Sequence, residues 1–100
     1  MFWYNCYTIM SARFEHDPRK SGINERRHGI ALPDARNLWR AAHVIVPARN
    51  VTGENRSAIL GKLHGRVYVA IFTMRHGTVR VISCHKADKR WVKIYEKYIG

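Results

Sequence analysis

Apolar residues recur along this 100-residue chain in two periods, and the period changes twice. Ala35, Leu38, Trp39 and Ala42 fall at i, i+3, i+4 and i+7, the stripe of an amphipathic helix that starts near Pro33 and ends at Ala42. Val44-Ile45-Val46 then reads as a short strand ended by Pro47, and residues 48–54 as a loop. From there the period is two. Arg56 to Leu63, Arg66 to Met74 and Thr78 to Cys84 are three strands joined by His64-Gly65 and His76-Gly77, links that suit antiparallel hairpins. The middle strand is apolar on both faces, with Val67, Val69 and Ile71 on one and Tyr68, Ala70 and Phe72 on the other, which marks it as central. Asp88 caps a last helix to about Tyr98, whose buried stripe is Trp91, Ile94, Tyr95 and Tyr98.

The N-terminal third is less regular. Phe14-Glu15-His16 forms a short strand or an extended lead-in. Asp17-Pro18 is a strong helix start, because Asp accepts from free N–H groups and Pro suits the first helical position. That helix runs to His28 and stops at Gly29, which takes the left-handed cap. Between Arg19 and His28 only Ile23 is clearly apolar, while Lys20, Asn24 and His28 share one face with Arg27 beside them. A solvated helix face is the ordinary reading of such residues; a ligand face is the other. The elements together predict an α+β domain: two N-terminal helices, a four-stranded antiparallel meander and a C-terminal helix. Residues 1–12 read as an extension, disordered or loosely packed, in front of a single domain over 13–100. Met10 is an alternative start.

Charge changes this picture more than any other property. Eighteen Lys and Arg face seven acids, a net charge of +11. Such an excess favours nucleic acid, an anionic membrane surface or an acidic protein partner. No apolar run is long enough for a membrane span, and the aromatic start lacks the basic region and cleavage site of a signal peptide. Cys6 and Cys84 share no metal or redox spacing, Cys84 reads as a small buried hydrophobe, and a reducing cytoplasm is the default.

The cations are concentrated where a core strand would not need them. Arg75-His-Gly-Thr-Val-Arg-Val-Ile-Ser-Cys-His-Lys-Ala87 carries Arg75, Arg80, Ser83, His85 and Lys86 in or beside a strand built on Val79, Val81 and Ile82. Arg56 starts one strand and Arg75 ends the next, so an antiparallel pairing brings both to one edge, with Arg80 near. Ser83, His85 and Lys86 lie at the opposite end of the last strand. The acids are too scattered for a two-metal nuclease, since Asp17, Asp34 and Asp88 sit at helix starts. Three of the six histidines precede Gly in turns or caps, and their spacings match no zinc site. Metal-free RNA cleavage fits what is left. RNA carries its own nucleophile, the 2′-OH, and preorganised cations stabilise the charge that develops on phosphorus. Arg56, Arg75 and Arg80 are the candidates for that role. His28 is the first choice for proton transfer and Lys20 the second, with His85 and Glu54 as rivals. Asn24, Arg27, Ser83, His85 and Lys86 are candidate substrate contacts. Two other readings use the same charge: a non-catalytic RNA- or DNA-binding domain, and a basic face that docks an acidic protein.

The segments Phe14-Glu-His-Asp-Pro-Arg-Lys20, Asn24, Arg27-His-Gly-Ile30, Gly53-Glu-Asn-Arg56, Phe72-Thr-Met-Arg75 and Arg80-Val-Ile-Ser-Cys-His-Lys-Ala87, taken in order, resemble the BrnT family of type II toxin–antitoxin ribonucleases over about residues 13–98. The resemblance implies a RelE-like, cytoplasmic ribonuclease that needs no metal or cofactor and arrests growth. It further implies a BrnA antitoxin that binds and inhibits the toxin, and operator DNA bound by their complex. Lys20, Asn24, His28, Arg56, Arg75, Arg80, Ser83 and Lys86 would be recurrent polar positions of the family. His16 stands where the family commonly has Trp, and Cys84-His85 replaces an Ala-Arg pair, so a permanent cation becomes a titratable one.

Overall fold

The computed structural model describes residues 13–49 and 53–100. Five strands and two α-helices alternate with one 3₁₀ segment: β1 (Arg13–His16), α1 (Pro18–His28), the 3₁₀ segment (Leu32–Arg40), β2 (His43–Pro47), β3 (Ser57–Leu63), β4 (Arg66–Arg75), β5 (Thr78–Lys86) and α2 (Lys89–Tyr98). The strand order is β1-β5-β4-β3-β2. The α+β class is as expected, but the architecture corrects the sequence reading in two respects.

The sheet has five strands and is mixed, not four and antiparallel. β1 joins its edge parallel to β5, with Phe14 opposite Val79 and Glu15 opposite Arg80. Four residues are too few to display a period, and a partner 65 positions away leaves no local trace. Aromatic packing holds β1 in place. Trp39 of the 3₁₀ segment meets the rings of Phe14 and Phe72 edge-on, each at 5.0 Å. Such T-shaped pairs add about 0.5–1.5 kcal/mol beyond area burial.

The second correction concerns the expected second helix. It is 3₁₀ rather than α, so only one α-helix precedes the meander. Its fully buried residues are Leu32, Ala35, Leu38 and Trp39, whereas Ala42 is exposed. Leu32, Ala35 and Leu38 recur every three residues, the period of a 3₁₀ helix. The i, i+3, i+4, i+7 reading matched three of these positions by coincidence of the two periods. Gly61 of β3 lies directly beneath: a Cβ there would sit 3.2 Å from Leu38 Cδ2, so the segment's close approach depends on that glycine.

The meander is local and matches its sequence signals. His64-Gly65 and His76-Gly77 are two-residue turns with positive φ at both positions, the backbone that the right-handed twist of a hairpin demands. One face of the sheet packs under the 3₁₀ segment, with Ile45, Ile59, Ala70, Phe72, Val79, Val81 and Cys84 in its core. The other face meets α2 through Val44, Val46, Ala58, Leu60 and Val69 against Tyr95, with Trp91 and Ile94 alongside. A register shift between Ile71 and Phe72 leaves Ile82 as a bulge in β5. Because of it, Val79 and Val81 are followed into the core by Cys84, not by Ser83 and His85.

α1 docks by a different principle. Its only apolar residue, Ile23, is 46% exposed. Its buried positions are Ser21 and Asn24. Ser21 Oγ accepts from the Leu32 N–H at 3.0 Å. The Asn24 amide donates to the Cys84 and Ile30 carbonyls at 2.7 and 2.8 Å and accepts from the Cys84 N–H at 3.2 Å. β1 pairs β5 only as far as Val81. Asn24 therefore takes the place of a neighbouring strand where that edge is bare. Asp17, which accepts from the Arg19 N–H, caps the helix, and that bond holds its carboxyl below the usual value. Gly29, at φ 72°, ends it.

Candidate nucleic-acid interface

The described site residues fall into two groups, one at each end of β5. The first lies on the sheet face that α2 leaves uncovered beyond β4. Register alternation puts Arg80 of β5, Thr73 of β4 and Glu15 of β1 side by side on that face. Thr78, paired with Arg75, is two residues from Arg80, so Arg75 and Arg80 are diagonal neighbours. Arg56 enters from the residue before β3. The Thr73 hydroxyl donates to the Asn55 carbonyl at 2.8 Å and pins this loop to β4.

The expected meeting of Arg56 and Arg75 occurs, and it is made by Glu54. Its two carboxylate oxygens lie 3.5 Å from Arg56 Nη2 and 3.6 Å from Arg75 Nη2. Arg80 Nη1 lies 3.4 Å from Glu15 Oε1. Arg56 Nε is buried with no hydrogen-bond partner among the described residues. A cleft of about 560 Å³ opens here between Glu54, Asn55, Ser57, Thr73, Met74 and Arg75. Partly exposed ion pairs of this kind hold by only about 0–1 kcal/mol. An incoming phosphate, which offers arginine bidentate charge-assisted bonds, competes with them.

The second group lies between α1 and the far half of β5. Lys20, Arg27 and His28 line a small cleft with Ser83. Arg27, His28, His85 and Lys86 border an adjoining one of about 330 Å³. The His28 and His85 rings are 5.3 Å apart. Lys20 and His28 stand two turns apart on α1. Asn24, between them, is only 6% exposed and its amide is already engaged with backbone. Neither the cleft of about 560 Å³ nor the two clefts beside α1 holds members of both groups.

Sequence reasoning missed Glu15 as the counter-ion of Arg80, because the parallel β1–β5 pairing is invisible locally. It also missed Thr73, which strict alternation from Arg75 would have placed on the same face. Cys84 is a buried free thiol, and burial, reinforced by the Asp34 charge, pushes its pKa up to about 12. It is no nucleophile near neutrality. No helix among the described residues is long and apolar enough to cross a membrane.

The fold and site define a small, basic α+β domain with Arg56, Arg75 and Arg80 gathered on one sheet face. The comparison with known families is more particular. Residues 16–90 match the family described as "Ribonuclease toxin, BrnT, of type II toxin-antitoxin system", and the chain belongs to that family. It is accordingly a ribonuclease toxin, with RNA as its target and an antitoxin as its partner. No curated protein matches the chain.

Proposed function

We propose that this toxin cleaves RNA without a metal ion, by attack of a ribose 2′-OH on the adjacent phosphodiester. The observation that carries the reading is the gathering of Arg56, Arg75 and Arg80 on one open sheet face, held by weak carboxylate pairs and with the Arg56 Nε unpartnered. In the reaction the 2′-oxygen bonds to phosphorus as its proton leaves, and the 5′-oxygen departs and takes up a proton. The three guanidinium groups hold the non-bridging oxygens and stabilise the added charge of the pentavalent state, where one preorganised donor is worth about 10²–10³ in rate. Glu54, between Arg56 and Arg75, is the proton-transfer group within reach of a phosphate held there, and His28 and Lys20, which line the separate cleft beside α1, contact the RNA strand instead. Arg27, Ser83, His85 and Lys86 hold the RNA strand along β5, and Asn24 acts with them by fixing α1 to that strand.

The test is incubation of the purified protein with RNA in EDTA. Cleavage is expected. Intact RNA at high protein concentration, or cleavage that requires Mg²⁺, refutes the reading. Glu54→Gln, His28→Ala and Lys20→Ala separate these roles: Glu54→Gln is expected to lower turnover the most, and the assignment falls if it cleaves as well as the parent. Arg75→Ala and Arg80→Ala are expected to lower turnover by at least tenfold.

The partner follows from the same charge. A BrnA-like antitoxin covers the cationic face in the cytoplasm, blocks RNA and carries the complex to operator DNA. A short neighbouring gene encoding a ribbon-helix-helix-like protein would support this. Failure of its product to bind the toxin or to inhibit cleavage refutes it. A non-catalytic binder would show salt-sensitive RNA affinity, with a slope of about −0.7 per phosphate contacted, and no product.

A further inference from the structure

We propose that the cleft between α1 and the bulge of β5 is a subsite for one unstacked nucleobase of single-stranded RNA, with Ile23 and Ile82 as its apolar walls. The proposal rests on the ribonuclease reading for the identity of its ligand and goes beyond it in assigning where a base is read. Two unusual features converge here. Ile23 is the sole apolar residue of α1, yet it faces away from the core and is 46% exposed. A single exposed isoleucine is ordinary. The second feature makes it informative: the bulge breaks the alternation between Val81 and Cys84 and leaves Ile82 without a partner on β4, in the same cleft as Ile23. Bulges re-aim side chains in this way, and they are frequent beside functional sites.

Size and charge select the occupant. The cleft is about 170 Å³. That is below the roughly 300–1,000 Å³ of sites for drug-sized ligands, and so suits one ring system. Its rim carries Lys20, Arg27 and His28, a complement to the phosphates on either side of a splayed base. An apolar slot ringed by cations is what unpaired RNA bases occupy, by contact through their faces and hydrogen bonding at their edges. The Asn24 amide faces the same cleft but is committed to Cys84 and Ile30. The Ser83 hydroxyl is thus the neutral polar group of this lining that is left to read a base edge. A hydrophobic side chain of a protein partner would use the isoleucines and leave the cation rim without a counterpart, so the base is the better fit.

The test uses the full chain and a single-stranded hexanucleotide whose 2′-positions are deoxy, so that binding is read without reaction. 2-Aminopurine is moved along it one position at a time. Binding is expected to change its emission at one position far more than at the others. An abasic residue at that position is expected to weaken binding about tenfold. Ile23→Gln, which alters an exposed helix position, and Ile82→Thr, which keeps a β-branched strand residue, should each abolish the positional signal and weaken binding about five- to tenfold without changing its salt dependence. Cleavage of the all-ribose oligomer is followed in parallel. Cleavage with no positional effect, or with variants that bind as the parent does, overturns the subsite and leaves the ribonuclease reading intact. Neither binding nor cleavage overturns both. Variants that weaken only antitoxin binding overturn the base and favour a protein contact.

Discussion

Asn24→Ala removes the one side chain that closes the bare edge of β5. Three buried backbone groups lose a partner: the Cys84 N–H, the Cys84 carbonyl and the Ile30 carbonyl. A buried polar group left unsatisfied costs about 1–3 kcal/mol. The two carbonyls regain part of that through water entering beside the shortened side chain, so a total near 3 kcal/mol is expected. For a domain of this size 1 kcal/mol moves the melting temperature by about 4–8 °C, and the variant should melt about 12–24 °C below the parent. Asn24→Asp is a sharper probe. It keeps the shape but turns an anion toward two carbonyl oxygens, and is expected to be at least as destabilising. Thermal and urea unfolding followed by circular dichroism and by tryptophan fluorescence measure both. A melting point within about 3 °C of the parent, together with lost RNA cleavage, would refute the structural reasoning. Asn24 would then be acting on the substrate directly.

Other consequences follow from the same geometry. The Trp39 indole N–H is buried without a partner among the described residues, so Trp39→Phe gives up ring volume but also removes an unsatisfied donor. Its unfolding free energy should fall by no more than about 1.5 kcal/mol, well short of the usual 3–5 for losing a core aromatic to alanine; a larger loss means that the N–H has a partner. The Cys84 thiol has its pKa raised from 9.0 to about 12. Between those values the unfolded chain releases a proton that the folded one keeps, so stability is full below pH 9 and falls as pH rises toward 12. Cys84→Ala should show a shallower decline over that window, and an identical pH profile would refute the assignment. His64, at φ 54°, is a non-glycine residue in the left-handed region. Asn is better suited there, so His64→Asn is expected to raise stability by a few tenths of a kcal/mol, about 2 °C in melting temperature, and a decrease would count against the turn geometry.

Signals that act over a few residues were readable without the fold. Asp17-Pro18 and Gly29 bound α1 because a helix end is satisfied by its immediate neighbours. His64-Gly65 and His76-Gly77 set the meander because a two-residue turn determines its own register. The meeting of Arg56 and Arg75 followed from that register alone. The surplus of cations, likewise, was a property of composition. Tertiary structure decided what depends on partners distant in the chain. Four residues of β1 carry no period, and only the slot between Trp39 and the edge of β5 makes them a strand. The bulge at Ile82 shows no distinctive residue type, since it arises from competition between core packing and strand register. Asn24 read as a possible ligand because an amide's partners are invisible in sequence; folded, it serves the backbone of a strand 60 positions away. The position of the cations in residues 75–87 already put Arg75 and Arg80 at one end of a strand and His85 and Lys86 at the other, but what each end meets depended on the fold. Arg75 and Arg80 face Glu54 and Glu15, while His85 and Lys86 face the end of α1.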